Sequence, residues 1–390
     1  MKKTYAYLPT YSADVFGVCS ALYELGGMTV IHDSSGCNST YTTHDEPRWM
    51  EQESMIFISA LSETEAILGD DEKLITDIVE TAEELKPRFI TLIGSPIPAM
   101  IGFDYDAAAA MIEERTGLPT LGVATTGMHD YSKGIADAFL ALSERFVQDS
   151  GKRIPHSVNI LGATPLDYAL RGPMESLQTF LKEHDYPILS NWAMGSSLAE
   201  IARSAEAAVN LVVSGSGVRL AKKLEERFGT PWVYALPVGE CGEQHLLKEL
   251  EEAERTKTSS PAKEASRPGN TSLANLVVII GEPVQSLSLA RFLEKDAYDT
   301  IVVNPLEEGN ELLRPQDISA RDEDDLAPIL KEAFALIADP FYETFYHLRR
   351  PNGNFFPYPH TGLSGRQFRN QPFNLMTDAF QFAELYRANQ

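Results

Sequence analysis

What most constrains the fold of this chain is an alternation. Short apolar runs recur along it, each separated from the next by an amphipathic stretch of helical length. In the first third, MTVIH (28–32), SMIFIS (54–59), FITLIG (89–94) and TLGVAT (120–125) read as strands. Residues 13–25, 70–85, 106–116 and 132–149 read as helices. Strands interleaved with helices in this way imply βαβ units and a parallel sheet. A second block begins near Ser157 with VNILGA (158–163) and continues through PILS, AAVNLVVS and WVYALPV at βα spacing. A third opens at LVVIIGEP (276–283), followed by the helix SLSLARFLEK, the strand TIVVNP (300–305), a helix over 323–335 and the strand-like FALIAD (334–339).

At 390 residues the chain exceeds one ordinary core, so two or three domains are expected. The pattern divides it into domain one (1–152), domain two (153–255) and domain three (273–340). The segment 256–272 is rich in Ser, Pro, Lys and Gly, lacks apolar periodicity and reads as an exposed linker. A tail, 341–390, ends in a helix of about 15 residues from Phe373 to Ala388 and is expected to pack on domain one. The formal net charge of −23 argues against nucleic acid or an anionic membrane as partner. No run approaches the ~18 apolar residues of a membrane span, and the N-terminus lacks the apolar core of a secretory signal. A cytoplasmic protein is expected.

Three cysteines, Cys19, Cys37 and Cys241, are too few and too scattered for a disulfide framework, and no CxxC pair suggests a self-contained cluster or zinc ribbon. Cys37 follows a glycine in the polar loop HDSSGCNST, at the C-terminal end of the first strand. Open α/β sheets bind ligands at that edge, so its thiol is placed to reach a metal cluster. A small buried thiol at a tight turn has equal weight. Cys19 shares an apolar helix face with Val15, Val18 and Leu22 and reads first as core. Cys241, in LPVGECGEQHLL, lies at a helix start, where the dipole favours thiolate, although a structural role has more weight.

His32 and His44 flank Cys37, with Asp45 and Glu46 beside His44. These residue types can ligate iron or donate protons, but a lone loop histidine more often only hydrogen-bonds. Asp70 and Asp71 precede an amphipathic helix and are explained by capping. The loop GSPIPAMIG (94–102) offers a rigid apolar wall, and SGSG (214–217) offers backbone N–H groups to an anion. The P-loop pattern is absent, which argues against ATP hydrolysis by this chain.

Taken together, HDSSGC (32–37), SALSETEAILGDDEKL (59–74), GSPIPAMIGFD (94–104), VNLVVSGSG (209–217), FGTPW (228–232) and LPVG (236–239) resemble component 1 subunits of the nitrogenase superfamily. That group includes the α and β chains of the nitrogenase molybdenum–iron protein, a cofactor-scaffold pair and dark-operative protochlorophyllide reductase. The resemblance implies an α/β fold of three Rossmann-like parallel-sheet domains around a central cleft. It also implies an iron–sulfur cluster, of the 4Fe–4S type, bridging a subunit interface and held by up to three cysteines per chain. The family's loop cysteine matches Cys37. Its upstream cysteine falls near Ser12, with Cys19 displaced two turns along the helix, and its third falls on Ser95. The cysteine that holds the catalytic cofactor in nitrogenase α chains falls on Ser214, and its histidine partner on His360.

These departures argue against nitrogen reduction. Cys37 cannot hold a cluster alone, so a second copy or a homologous sister subunit would contribute, aided by Cys19 or a carboxylate such as Asp33 or Asp45. The resemblance implies low-potential electrons from an ATP-dependent iron–sulfur reductase, passed to an unidentified substrate or second cofactor in the cleft. A metallocofactor scaffold or carrier is the alternative. Ser95, Ser214, Cys241 and His360 are expected to line one interdomain pocket.

Overall fold

A computed structural model describes residues 6–34, 36, 38, 45–259, 276–296, 298–368 and 373–383. The alternation read from the sequence resolves into three sheets in which every strand pairing is parallel. In domain one, β1 (Met28–Ile31), β2 (Met55–Ile58), β3 (Ile90–Ile93) and β4 (Thr120–Val123) lie in the order β2-β1-β3-β4. The two central strands are wholly buried, which is why they read as unbroken apolar runs. Helices α1 (Asp14–Leu22), α2 (Glu63–Leu68), α3 (Glu72–Leu85), α4 (Pro96–Ile101), α5 (Tyr105–Thr116) and α6 (Tyr131–Phe146) connect and cover them.

Domain two repeats the plan with β5 (Ile154–Leu161), β6 (Ile188–Asn191), β7 (Ala207–Val212) and β8 (Trp232–Tyr234) in the order β6-β5-β7-β8. Its helices are α7 (Pro173–Glu183), α8 (Leu198–Ala202), α9 (Val218–Phe228) and α10 (Gly239–Thr256). The third sheet has five strands: β9 (Leu276–Ile280), β10 (Asp299–Asn304), β11 (Ile318–Ser319), β12 (Ala335–Ala338) and β13 (Asn354–Pro357), ordered β11-β10-β9-β12-β13. Helices α11 (Pro283–Glu294), α12 (Glu323–Glu332) and α13 (Tyr342–His347) belong to it. Short helices α14 (Thr361–Ser364), α15 (Leu375–Asp378) and α16 (Phe380–Ala383) follow.

The tail differs from expectation. Domain three does not stop at 340, because β13 extends its sheet as an edge strand beside β12. Pro357 ends that strand, where the missing donor costs no ladder bond. Beyond it, α15 packs against α7 of domain two, and the backbone N–H of Gly362 bonds Leu166 O at 2.9 Å. The tail touches domain one through Ser12 N to Gly362 O at 2.8 Å. It therefore ties the three domains together rather than capping one of them. The proposed linker 256–272 lies mostly outside the described residues, and α10 runs to Thr256.

Two contacts fix how the pieces meet. Helices α1 and α6 cross so closely that a Cβ on Gly17 would stand 2.1 Å from Tyr131 O, and one on Gly134 would stand 2.0 Å from Asp14 O. At the N-terminus the Glu323 carboxylate accepts the backbone N–H groups of Ala6, Tyr7 and Leu8 at 2.9, 2.7 and 2.8 Å. That pins the leading segment to the start of α12, with Leu8 in the core of domain three. Among the described residues no helix is long and apolar enough to cross a membrane.

Candidate functional site

All three domains and the tail contribute to one cavity of about 590 Å³. Pro47, Met50 and Glu51 come from domain one, Pro165, Asp167 to Arg171, Pro173 and Leu236 from domain two, Gln285 from α11, and Tyr358, Thr361, Arg366, Phe368, Phe373 and Met376, among others, from the tail. Tyr168, Tyr358, Phe368, Phe373 and Met376 give it a largely aromatic and aliphatic wall. Its cations sit beside acids: Arg171 pairs with Glu51 at 3.1 Å, and Arg366 lies 3.8 Å from Asp45. A cavity of this size, apolar with a few polar groups, is the usual form of a small-molecule site.

Behind this wall lies a buried polar knot centred on Asp167. The turn after β5, closed by Asp167 N to Thr164 O at 3.1 Å, brings the carboxylate inward until its side chain is wholly buried. Ser214, just beyond β7, donates its hydroxyl to Asp167 Oδ2 at 2.8 Å. His360 Nε2 lies 3.1 Å from Asp167 Oδ1, and its backbone N–H is held by Asp339 at the end of β12. The Tyr131 hydroxyl, on the first residue of α6, reaches both Asp167 and His360. Burial, and then the neighbouring Asp167 carboxylate, drives the Tyr131 hydroxyl far above its usual range, so it stays a donor. Glu282 is buried nearby, accepting from Gly215, Val284 and Gln285 N–H groups. Burial and then the charge of Asp167 push its carboxyl up to about 8, against the opposing pull of those donors.

The structure thus brings Ser214 and His360 together on Asp167, which itself edges the cavity. Neither they nor Ser95 and Cys241 are among the residues lining the cavity. Ser95, fully buried after β3, donates to Asp33 Oδ1 at 2.6 Å. Asn38 bonds the other Asp33 oxygen at 2.9 Å, and His32 Nδ1 pairs with Ser59 Oγ at 2.9 Å. Burial lowers His32 to about 4, so the ring is neutral. Cys241 sits in the first turn of α10, half-buried, with Sγ 3.9 Å from Val238 O. The expectation of one shared pocket for these four residues is therefore corrected. Their strand ends belong to three different sheets, and of the four only Ser214, after β7, and His360, after β13, meet, on Asp167 after β5.

Cys37 and His44 lie outside the described residues. Cys19 is buried on α1 in the main apolar core, and burial raises its thiol well above the usual range. Its apolar surroundings match the core reading of this helix face. Ser12 bonds Gly362 through its backbone. Among the described residues no group of three or more His, Cys, Asp or Glu side chains could hold a metal ion. They do not fit an iron–sulfur cluster held within one chain.

Sequence reasoning missed Asp167, Tyr131, Gln285 and Tyr358. It also missed Arg48, which bonds Glu46 at 2.6 Å, Glu24 at 2.8 Å and Ala193 O at 2.8 Å, tying the loop after β1 to domain two. A single Asp or Tyr in a loop leaves no periodicity or motif to find.

Comparison with known proteins agrees with this architecture. The sequence model of the nitrogenase component 1 type oxidoreductases matches residues 16–303. A nitrogenase iron-molybdenum cofactor biosynthesis protein of Clostridium pasteurianum is 28% identical over 224 residues, 55% of this chain and 48% of that protein. A nitrogenase molybdenum-iron protein alpha chain of Methanosarcina barkeri is 22% identical over 197 residues, 49% of this chain and 36% of that one. The matches thus span half or less of those relatives' length. The solved structure described as nitrogenase Cp1 at pH 6.5 superposes with a TM-score of 0.73 over 99% of this chain and 94% of that chain, at 15% identity. At that identity the likeness speaks for the fold.

Proposed function

Because the chain belongs to the nitrogenase component 1 type oxidoreductase family, we propose that it is a nitrogenase-like component 1 subunit. In this reading it binds an organic ligand in the interdomain cavity. The ligand is reduced with low-potential electrons from a separate ATP-dependent iron–sulfur reductase. The observation that carries the reading is the state of the anchoring positions. Ser214 and His360 are occupied by Asp167, while a roomy apolar cavity lies in front of them. Such a cavity suits a carbon skeleton better than a cluster that needs soft ligands. Asp167 and its donors hold the domains around the cavity, and the aromatic wall excludes water from the bound ligand.

An interfacial 4Fe–4S cluster with Cys37 as a ligand belongs to this proposal, its remaining ligands supplied by a second copy or a sister subunit. A scaffold or carrier for a metallocofactor is the second reading, supported by relatives named as cofactor biosynthesis proteins. Anaerobic purification followed by iron, sulfide and electron paramagnetic resonance measurements separates the two. Reducible iron, lost in Cys37→Ala, with ATP-dependent turnover supports the oxidoreductase. Bound cofactor without turnover supports the carrier. Iron-free protein that binds an apolar fluorophore in the cavity would leave a small-molecule-binding protein without metal, against both.

A further inference from the structure

A second cavity, of about 560 Å³, opens at the N-terminal edges of the first and second sheets and shares no lining residue with the first cavity. Arg88, just before β3, and Arg145, in the last turn of α6, line it from domain one. Arg203, just after α8, lines it from domain two. Between them lies an apolar floor of Phe146, Leu198, Ala199 and Ala202. Three arginines around one hollow stand out in a chain with 33 basic against 56 acidic residues.

How these cations are paired decides what the hollow can hold. Arg203 gives Nε and Nη2 to Glu206 at 3.1 and 2.7 Å. Arg145 gives only Nη2, to Glu113 at 2.7 Å. Asp149, the other acid on the wall, is taken by Arg153 at 3.1 Å. The guanidinium of Arg88 has neither an ion pair nor a hydrogen bond among the described residues. It is nonetheless held in place. Arg88 N donates to Gly26 O at 2.9 Å, and the Arg88 stem packs so close that a Cβ on Gly26 would stand 3.2 Å from its Cδ. Phe146 is fixed as well, edge-on to the buried Phe89 with ring centroids 5.6 Å apart.

We infer that this hollow is a second ligand site, taking an amphipathic organic anion whose single carboxylate meets Arg88 and whose apolar body lies on the floor between α6 and α8. A guanidinium fork matches a carboxylate through two parallel N–H donors, and the free N–H groups of Arg145 stand on the same wall. One uncompensated cation balances one negative charge, and Asp149 and Glu206 disfavour a more highly charged ligand. A bare oxyanion would leave the apolar floor uncovered, whereas an apolar body removes it from water. Because Arg88 and α8 belong to different domains, the bound ligand bridges them. The linker between the domains already holds α8 there, through Gln148 N to Ala202 O at 3.3 Å. This site is independent of the chemistry proposed for the first cavity.

Isothermal titration calorimetry of the full chain with naphthoate tests the site. Naphthyl methanol serves as the uncharged counterpart and inorganic phosphate as the bare anion. Naphthoate should bind wild type and Ala169→Trp, a change at the wall of the first cavity, with equal affinity. Arg88→Gln and Ala199→Trp should each weaken it at least about tenfold. Both positions are exposed, so their circular dichroism spectra should be unchanged. The alcohol and phosphate should each bind wild type at least about tenfold more weakly than naphthoate. Equal affinity for naphthoate and the alcohol would overturn the inference, because Arg88 would then take no part. Phosphate binding as tightly as naphthoate, or no naphthoate binding at all, would overturn it too. Binding lost in Ala169→Trp but kept in Arg88→Gln would put the anion in the first cavity, against this site but not against the function proposed for that cavity.

Discussion

At the residue scale, the chemistry of the site is set by two buried carboxyls with different fates. Asp167 accepts from Ser214 and Tyr131 and lies 3.1 Å from His360 Nε2. Burial, and then the neighbouring Asp167, keeps Glu282 protonated up to about 8. In the unfolded chain Glu282 ionises near its ordinary value, so between the two values the folded state holds a proton that the unfolded state has lost. Stability from this group is full below the unfolded value and falls as pH rises toward 8, by about 1.4 kcal/mol per pH unit. Chemical denaturation from pH 5 to 9 should show that decline, and Glu282→Gln should flatten it. A decline unchanged in the variant would show that Glu282 is not its source. Arg48 works oppositely, as a buried cation whose removal strands Glu46, which is 1% exposed. Arg48→Ala should lower stability by about 3–5 kcal/mol in urea titration. None of these partners was legible in the sequence. Asp167 and His360 are 193 residues apart, and a contact of that range leaves no local pattern. Ser214 was read in a glycine–serine turn and His360 through the family resemblance, and neither reading could reveal that Asp167 holds both.

At the element scale the sequence was far more readable, because a strand buried on both faces must be an apolar run. The central strands β1, β3, β5, β7, β9 and β12 were found for that reason. The failures have equally physical causes. β11 is two residues long, and β13 is an edge strand ending in proline, so neither carries a buried run. Helices α2 and α4 are six residues each, too short for a periodic apolar face. The segment of α4 was read as a rigid apolar loop, without its helix. The close crossing of α1 on α6 was also hidden, since Gly17 and Gly134 sit inside helical patterns where glycine is merely unfavourable. Gly134→Ala tests that crossing. Intrinsic helix propensity would gain up to about 1 kcal/mol. The added methyl, 2.0 Å from Asp14 O, must spread the helices, at about 1–3 kcal/mol for overpacking. A net loss of stability in urea titration is expected, and a net gain would show that the helices part without strain.

At the scale of the whole molecule, three similar sheets are held by contacts that no single domain supplies. The tail crosses from β13 to α7, Glu323 clamps the N-terminal segment, and Asp167 joins α6, domain two and the tail at one point. The three-domain architecture was legible from alternation alone. The cavity was legible only as an expectation about strand ends, because its walls come mainly from loops and the tail, where local sequence says little about position. The same division predicts that cavity and latch can be perturbed separately. Ala169 lines the cavity, is half-buried, and takes no part in the Asp167 knot. Ala169→Trp should fill the cavity and reduce binding of an apolar fluorophore at least about tenfold, equivalent to about 1.4 kcal/mol. Stability should change little, because a half-buried loop side chain is not a core element. Asp167→Asn should do the reverse. It keeps the cavity wall but leaves the donors of Tyr131, Ser214 and His360 competing for one amide oxygen, a loss of about 2–4 kcal/mol in stability. Measuring both quantities on both variants decides the matter. If Ala169→Trp leaves fluorophore binding intact, the ligand site lies elsewhere. If Asp167→Asn leaves stability intact, the knot does not hold the domains together.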